Sequence, residues 1–415
     1  MRVAVIGAGL GGLLSAVALA SQGNEVVVYE KLGFPGGRFT NFTYKGFQLS
    51  TGALHMIPHA NRGPLANLLR KFNIKIKIHE SYPQALFRIG GKNYSYNKVI
   101  KLFPLLKRIK LYFILSYFKY GKGNHEILYE WIERKIGDPL AIKITDSFCG
   151  FSLSVTSKQI NVQEFVSITK NIYKLGGPGI PDGGCKGITD ALVNKLFEYG
   201  GKLKLKNEVK RIIVNDNKAK KVVVNDSEES FDIIISNIGP KQTLELIGKE
   251  NLPEDYVRDI NKIKEACGIK ISVGCDKPML GFSGILFTPE AERIAGINEV
   301  TNAVPDLAPH GKHLVMSHQP LLPKRNIKRE IKLGIEDLRN IFSDFDDHCK
   351  ILAIQIFKDS LPVNRSVSGI SFKTPISNLF LVGDAVKPRG YMETEGIAAG
   401  VKEMIEYINR KHRIY

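Results

Sequence analysis

The chain has 415 residues, 43% hydrophobic and 24% charged, the proportions of a globular protein, which excludes disordered, collagen-like and low-complexity classes. Its formal charge of +18 at pH 7 favours contact with membrane headgroups, nucleic acid or phosphorylated ligands without choosing among them. Five scattered cysteines with no CxxC pair argue for a reducing compartment and against a disulfide framework.

No uncharged apolar run approaches the ~20 residues of a spanning helix. The stretch after Met1-Arg2 reads as a strand rather than a signal peptide, so a cytoplasmic protein is expected. Arg2 to Ile6 is a short β-branched run, the pattern of a buried parallel strand. Gly7-Ala8-Gly9-Leu10-Gly11-Gly12 breaks it, Leu13 to Ala20 suits a helix packed on a sheet, and Glu25 to Glu30 is the second strand. Strand, helix and strand within thirty residues make a βαβ unit.

Residues 95 to 175 read as helical throughout. Within them, 98 to 122 carry seven basic residues and no acidic one. Val99, Leu102, Leu106, Ile109, Phe113 and Tyr117 recur at spacings of three and four, with Lys98, Lys101, Arg108, Lys119 and Lys122 broadly opposite. That is the pattern of a helix docked on an anionic membrane surface, or of one packed on its own protein with a solvated basic face. Farther on, Ile188 to Tyr199 reads as a helix, and Lys202 to Val214 with Lys220 to Val224 as a hairpin around Asn215-Asp216-Asn217. Phe231–Ser236, Ile269–Val273, His313–Ser317, Ile351–Phe357 and Leu379–Val382 read as strands. Helices are expected around Ile327 to Phe342 and over Thr394 to Asn409.

Gly7-x-Gly9-x-x-Gly12 between a strand and a helix, with Glu30 ending the next strand, is a dinucleotide cradle. Gly7 allows the sharp turn, Gly9 lets the backbone approach a pyrophosphate, and Gly12 lets helix and strand pack. The helix N-terminus offers free N–H groups and partial positive charge. Glu30 would accept hydrogen bonds from ribose hydroxyls. Gly36-Gly37-Arg38 adds close backbone approach and a charge for the same pyrophosphate. Asp384, after Gly383 at the end of the last strand, suits a ribityl hydroxyl or a phosphate-bound water.

These elements, with Ser50-Thr51-Gly52-Ala53, Pro181-Asp182-Gly183-Gly184, Asn207-Glu208-Val209 and Glu395-Gly396, resemble the FAD-dependent amine oxidase and phytoene desaturase superfamily. The nearest likeness is to its carotenoid desaturase and isomerase branch. The resemblance implies an α/β fold: an FAD-binding Rossmann-type domain from three segments (1–75, 180–265 and 360–415) with an inserted α+β substrate domain (76–179 and 266–359). It implies that Gly7, Gly9, Gly11, Gly12 and Glu30 bind the ADP half of FAD, with Gly37 and Arg38 at the pyrophosphate. Gly52, Ala53 and Leu54 would lie by the flavin ring, and Val209 would touch the adenine. Gly383 and Asp384 would hold the ribityl chain, and Gly396 and Ile397 would face the pyrimidine end.

The implied activity is hydride transfer between flavin and an apolar, isoprenoid-like substrate, as desaturase, saturase or isomerase. A flavin amine oxidase and a non-enzymatic prenyl-lipid carrier are the alternatives. No cysteine lies near the flavin-facing segments, so FAD is expected to be noncovalent. His55, Glu393 and Glu395 are candidate proton-transfer residues, His55 also suiting a structural hydrogen-bonding role. His310, His313 and His318 do not share a face, so no metal site is expected. No nucleic-acid module accompanies the aromatic residues of 112–120.

Overall fold

A computed structural model of the chain describes residues 1–366 and 369–412; positions 367–368 and 413–415 of the expected third segment lie outside the described residues. A five-stranded sheet runs in the order Leu379–Leu381, Ile233–Ser236, Arg2–Ile6, Glu25–Glu30, Lys202–Leu205, with every pairing parallel. Such strands are covered on both faces and read as unbroken apolar runs. Successive side chains still alternate between faces. Val3, Val5, Val26, Val28, Ile233 and Ile235 join the core under three helices, Leu10–Ala20, Gly184–Glu198 and the C-terminal Glu393–His412. Ala4, Ile6, Val27, Tyr29 and Ile234 face the other way, onto a three-stranded antiparallel sheet spanning 209–230. The helix Leu10–Ala20 is buried along its whole length, which explains its small apolar residues.

The second layer is a mixed seven-stranded sheet: Cys349–Phe357, Gly268–Cys275, His313–Pro320, Gly296–Glu299, Ile285–Phe287, Ala85–Ile89, Lys92–Tyr94. Ile269, Ile271 and Val273 pack beneath the helix Ile327–Ile341. The opposite face meets a helical layer of Leu105–Tyr120, Leu128–Lys135, Pro139–Leu153 and Val162–Leu175. Among the described residues no helix is long and apolar enough to cross a membrane.

Two expectations are corrected here. Cys275 and Cys349 stand directly opposite on antiparallel strands and form a disulfide, whereas Cys149, Cys185 and Cys267 are free. The pairing is set by sheet register across 74 residues of chain. The continuous helix expected over 98–122 is interrupted before Pro104, which caps a new helix, Leu105–Tyr120, ending at Gly121. Its buried residues are Leu111, Ile114 and Phe118; Leu102, Leu106, Ile109 and Phe113, expected to share the apolar face, point outward.

Candidate active site

Four chain segments meet outside the carboxyl ends of the parallel strands, where open α/β sheets bind their ligands. Gly7 has φ +93°, a region open to glycine, and its N–H donates to Tyr29 O at 2.7 Å. A Cβ at Gly12 would lie 2.1 Å from Gly7 O, so helix and strand touch only because no side chain is present. Glu30 aims its carboxylate at this turn and accepts from Ala8 N at 2.8 Å and Leu32 N at 2.9 Å. Gly36 N donates to Ala8 O at 2.8 Å, laying Gly36-Gly37 along the loop. Asn207 N donates to Glu30 O at 2.9 Å, which starts the strand containing buried Val209 beside the same edge.

Asn237 directly follows the strand Ile233–Ser236; Ser236-Asn237 belongs to the family resemblance, which assigns Asn237 no role. A Cβ at Gly9 would come within 2.6 Å of its Nδ2, and one at Gly11 within 2.7 Å of its Oδ1. Gly9 and Gly11 therefore make room for this amide. Ile397 and the Gly383 backbone also press on Gly11, bringing the last helix and last strand to the glycine loop.

Buried Asp384 and the half-buried Arg38 and Arg365 form a charged cluster. Arg38 Nη2 lies 2.9 Å from Asp384 Oδ1, and its Nη1 donates to Pro362 O at 2.6 Å and Val363 O at 2.5 Å. Asp384 Oδ2 accepts from Arg365 N at 2.6 Å. Burial opposes ionisation of Asp384, but Arg38 and Arg365 outweigh it and hold its pKa below the usual value. A Cβ at Gly52 would strike Arg38 O at 2.3 Å, so the 50–54 segment packs directly on this cluster.

Beside that segment opens a cavity of about 130 Å³. Leu54, Met56, Phe148, Phe151, Ile172, Phe287 and Met392 line it, and Glu393 is the sole ionisable side chain in the lining. Burial pushes the Glu393 pKa up to about 7, opposed by Lys387 and Arg38. Glu393 also sits at φ +41°, a left-handed conformation that costs a non-glycine residue of order 1 kcal/mol and clusters at functional sites.

Lys270 was missed from sequence. It is fully buried and donates to Ser50 O at 2.6 Å, Ser50 Oγ at 2.7 Å and Gly52 O at 2.6 Å. Burial pushes its pKa down to about 7. A lysine at an alternating position of Gly268-Ile269-Lys270-Ile271-Ser272-Val273 was the available signal, since buried charges persist only when hydrogen-bonded or paired.

Two of the three proton-transfer candidates have other work. His55 is buried, with Nε2 2.9 Å from Gln48 O and Nδ1 accepting from Cys185 N at 3.2 Å. Burial lowers its pKa to about 4, so the neutral ring spends both nitrogens tying the 47–50 strand to the helix Gly184–Glu198. Glu395 Oε2 accepts from Leu65 N at 2.8 Å. It caps the helix Pro64–Lys71, whose own N-cap is Gly63, and a Cβ at Gly63 would collide with this carboxyl at 2.1 Å. Gly396 packs against the Lys387 side chain. Of the three, the structure brings Glu393 alone to the cavity.

The glycine cradle, the acid at the end of the second strand and the charged cluster beside an apolar cavity define a dinucleotide-dependent oxidoreductase. The family model of flavin-containing amine oxidoreductases matches residues 10–394, and the chain belongs to that family; it is an FAD-dependent oxidoreductase. It is 44% identical over 410 residues to an uncharacterized protein of Methanocaldococcus jannaschii, covering 99% of this chain and all of that one. The crystal structure of an oxidoreductase from Methanosarcina mazei superposes with a TM-score of 0.94 at 41% identity, covering 98% of this chain and 100% of the other. A chloroplastic prolycopene isomerase of an Oncidium hybrid is 27% identical over 370 residues, 75% of this chain and 62% of the isomerase. The chain thus spans less than two thirds of that relative's length.

Proposed function

We propose that this flavoprotein carries out redox chemistry on an apolar, isoprenoid-like chain held in the cavity beside Leu54 and Glu393. The observation that carries this reading is the lining: three phenylalanines, two methionines and aliphatic side chains, with Gln84 and Ser152 as its uncharged polar side chains and one carboxyl, Glu393, whose pKa is raised to about 7. An apolar wall binds hydrocarbon by removing it from water and keeps water from the reacting centre. The likeness to prolycopene isomerases and phytoene desaturases supports the same substrate class.

FAD, when bound, supplies the two-electron chemistry. The residues that fit it are Gly7, Gly9, Gly11, Gly12 and Glu30 for the ADP half, with Val209 at the adenine end. Gly37 and Arg38 serve the pyrophosphate, and Gly383 and Asp384 the ribityl chain. Gly52, Ala53, Leu54, Gly396 and Ile397 serve the ring. Lys270 fixes the carbonyls of Ser50 and Gly52, so the ring-side segment keeps one position. Glu393, poised near neutrality, holds or releases a proton as the one ionisable side chain of the lining.

Mass spectrometry of an organic extract from purified yellow protein tests the substrate class. A polyprenyl or carotenoid-like lipid at near-stoichiometric amount is expected. Rapid anaerobic bleaching by simple primary amines, with no bound lipid, would assign the cavity to amine oxidation instead.

A further inference from the structure

The helix Leu105–Tyr120 is apolar on two sides. Its inner side packs through Leu111, Ile114 and Phe118, with Phe118 against Trp131 and Phe165 at ring separations of 5.5 and 4.9 Å. Its outer side carries Leu105, Leu106, Ile109, Phe113 and Tyr120, which are 69, 76, 48, 74 and 70% exposed. Their spacing makes one stripe along the helix. Seven of the 19 exposed large apolar side chains among the described residues fall between Leu102 and Tyr120. That concentration is a patch rather than the single exposed residues normal on any surface.

Basic residues frame the stripe. At 100° per residue, Lys110 lies along one flank and Lys119 along the other, while Lys98, Lys101 and Lys122 are exposed beyond its ends. None of these five forms an ion pair with a carboxylate among the described residues. Lys107 is turned aside to Asp138 at 2.8 Å, and Arg108 donates to Phe103 O and Lys101 O at 2.6 and 2.7 Å. No acidic residue occurs from 98 to 122.

We propose that this face docks on an anionic lipid bilayer, the stripe entering the headgroup boundary and the lysines meeting lipid phosphates. A second copy of the chain would also cover the stripe, but it would set two groups of lysines without carboxylate partners against each other, which repels. The helix rests on Val162–Leu175, whose Ile172 lines the cavity, so the docked face lies one helix away from the cavity wall. The proposal stands on the surface alone, and its test reads lipid binding separately from flavin content and turnover.

Holoenzyme is sedimented with vesicles of mixed phosphatidylglycerol and phosphatidylcholine, and with vesicles of phosphatidylcholine alone. Wild-type protein is expected in the pellet with the anionic vesicles at low salt, at least about tenfold more weakly with the neutral ones, and to be released by about 0.5 M salt. Leu106→Asp with Phe113→Asp, and separately Lys110→Glu with Lys119→Glu, should each weaken binding by at least about tenfold. Because all four side chains are exposed, flavin content and melting temperature should stay at wild-type values. Wild-type protein left in the supernatant at low salt overturns the proposal, as does binding that survives both pairs of substitutions. A solution dimer that Phe113→Asp dissociates overturns it in favour of a second copy.

Discussion

At the carboxyl ends of the parallel sheet, charges are paired: Arg38 holds Asp384, and Asp384 holds the Arg365 backbone N–H. Across the cavity, the wall contributed by the seven-stranded sheet and its helices is mostly apolar, and the one ionisable group of the whole lining, Glu393, enters from the start of the C-terminal helix. The first region spends its charges on one another and on a fixed backbone, which suits a cofactor held in a single position. The second leaves a single proton site in an apolar surround, where small changes in that one group have large consequences.

The sharpest way to break the first region is steric. Gly12→Val would drive a side chain into Gly7 O, a carbonyl that cannot yield without moving the strand. It should abolish flavin binding and destabilise the fold by on the order of 4 kcal/mol or more, read as flavin absorbance per polypeptide and by thermal unfolding. Full flavin content in that variant would refute the cradle.

The second region should break chemically rather than structurally. Glu393→Gln is expected to lower turnover by roughly 10²–10⁴-fold while flavin content stays intact. It should also change the pH dependence of stability. With its pKa raised from 4.5 to about 7 in the fold, Glu393 keeps a proton that the unfolded chain has lost. Its favourable contribution is complete below pH 4.5 and is lost as pH rises through 7. The glutamine variant should therefore gain stability relative to wild type across that window in denaturant melts at successive pH values.

Lys270→Met joins the two regions, since Lys270 stands on the seven-stranded sheet and holds the segment beside the charged cluster. Leaving the Ser50 and Gly52 carbonyls without their donor should cost about 2–3 kcal/mol and shift the flavin spectrum. The smallest effect belongs to Glu395→Ala. Loss of the cap on Pro64–Lys71 should cost about 1–2 kcal/mol with little change in flavin content, in contrast to Glu393→Gln two residues earlier.

The cradle was legible because its requirements are local. A turn, a close packing of helix on strand and an acid at the next strand end all fall within thirty consecutive residues. The role of Asn237 was not legible, because an asparagine after a strand shows no contact until the sheet places it over Gly9. Glu393 and Glu395 look equivalent in sequence, and only the fold turns one to the cavity and the other to a helix end. For the helix Leu105–Tyr120 the stripe Leu106, Ile109 and Phe113 was legible, but with apolar residues on two sides its periodicity does not say which side the protein covers. The Cys275–Cys349 pair was invisible because it depends on register between strands 74 residues apart.

The central claim is an apolar cavity serving the flavin, with Glu393 as its proton site. Anaerobic titration of the yellow holoenzyme with a C20 polyprenyl probe, followed by flavin absorbance, tests it most directly. The account predicts a saturable spectral change that Phe287→Asp abolishes and whose pH dependence near 7 disappears in Glu393→Gln. A spectrum unmoved by the probe in wild-type protein, or one whose response is the same in both variants, would contradict it.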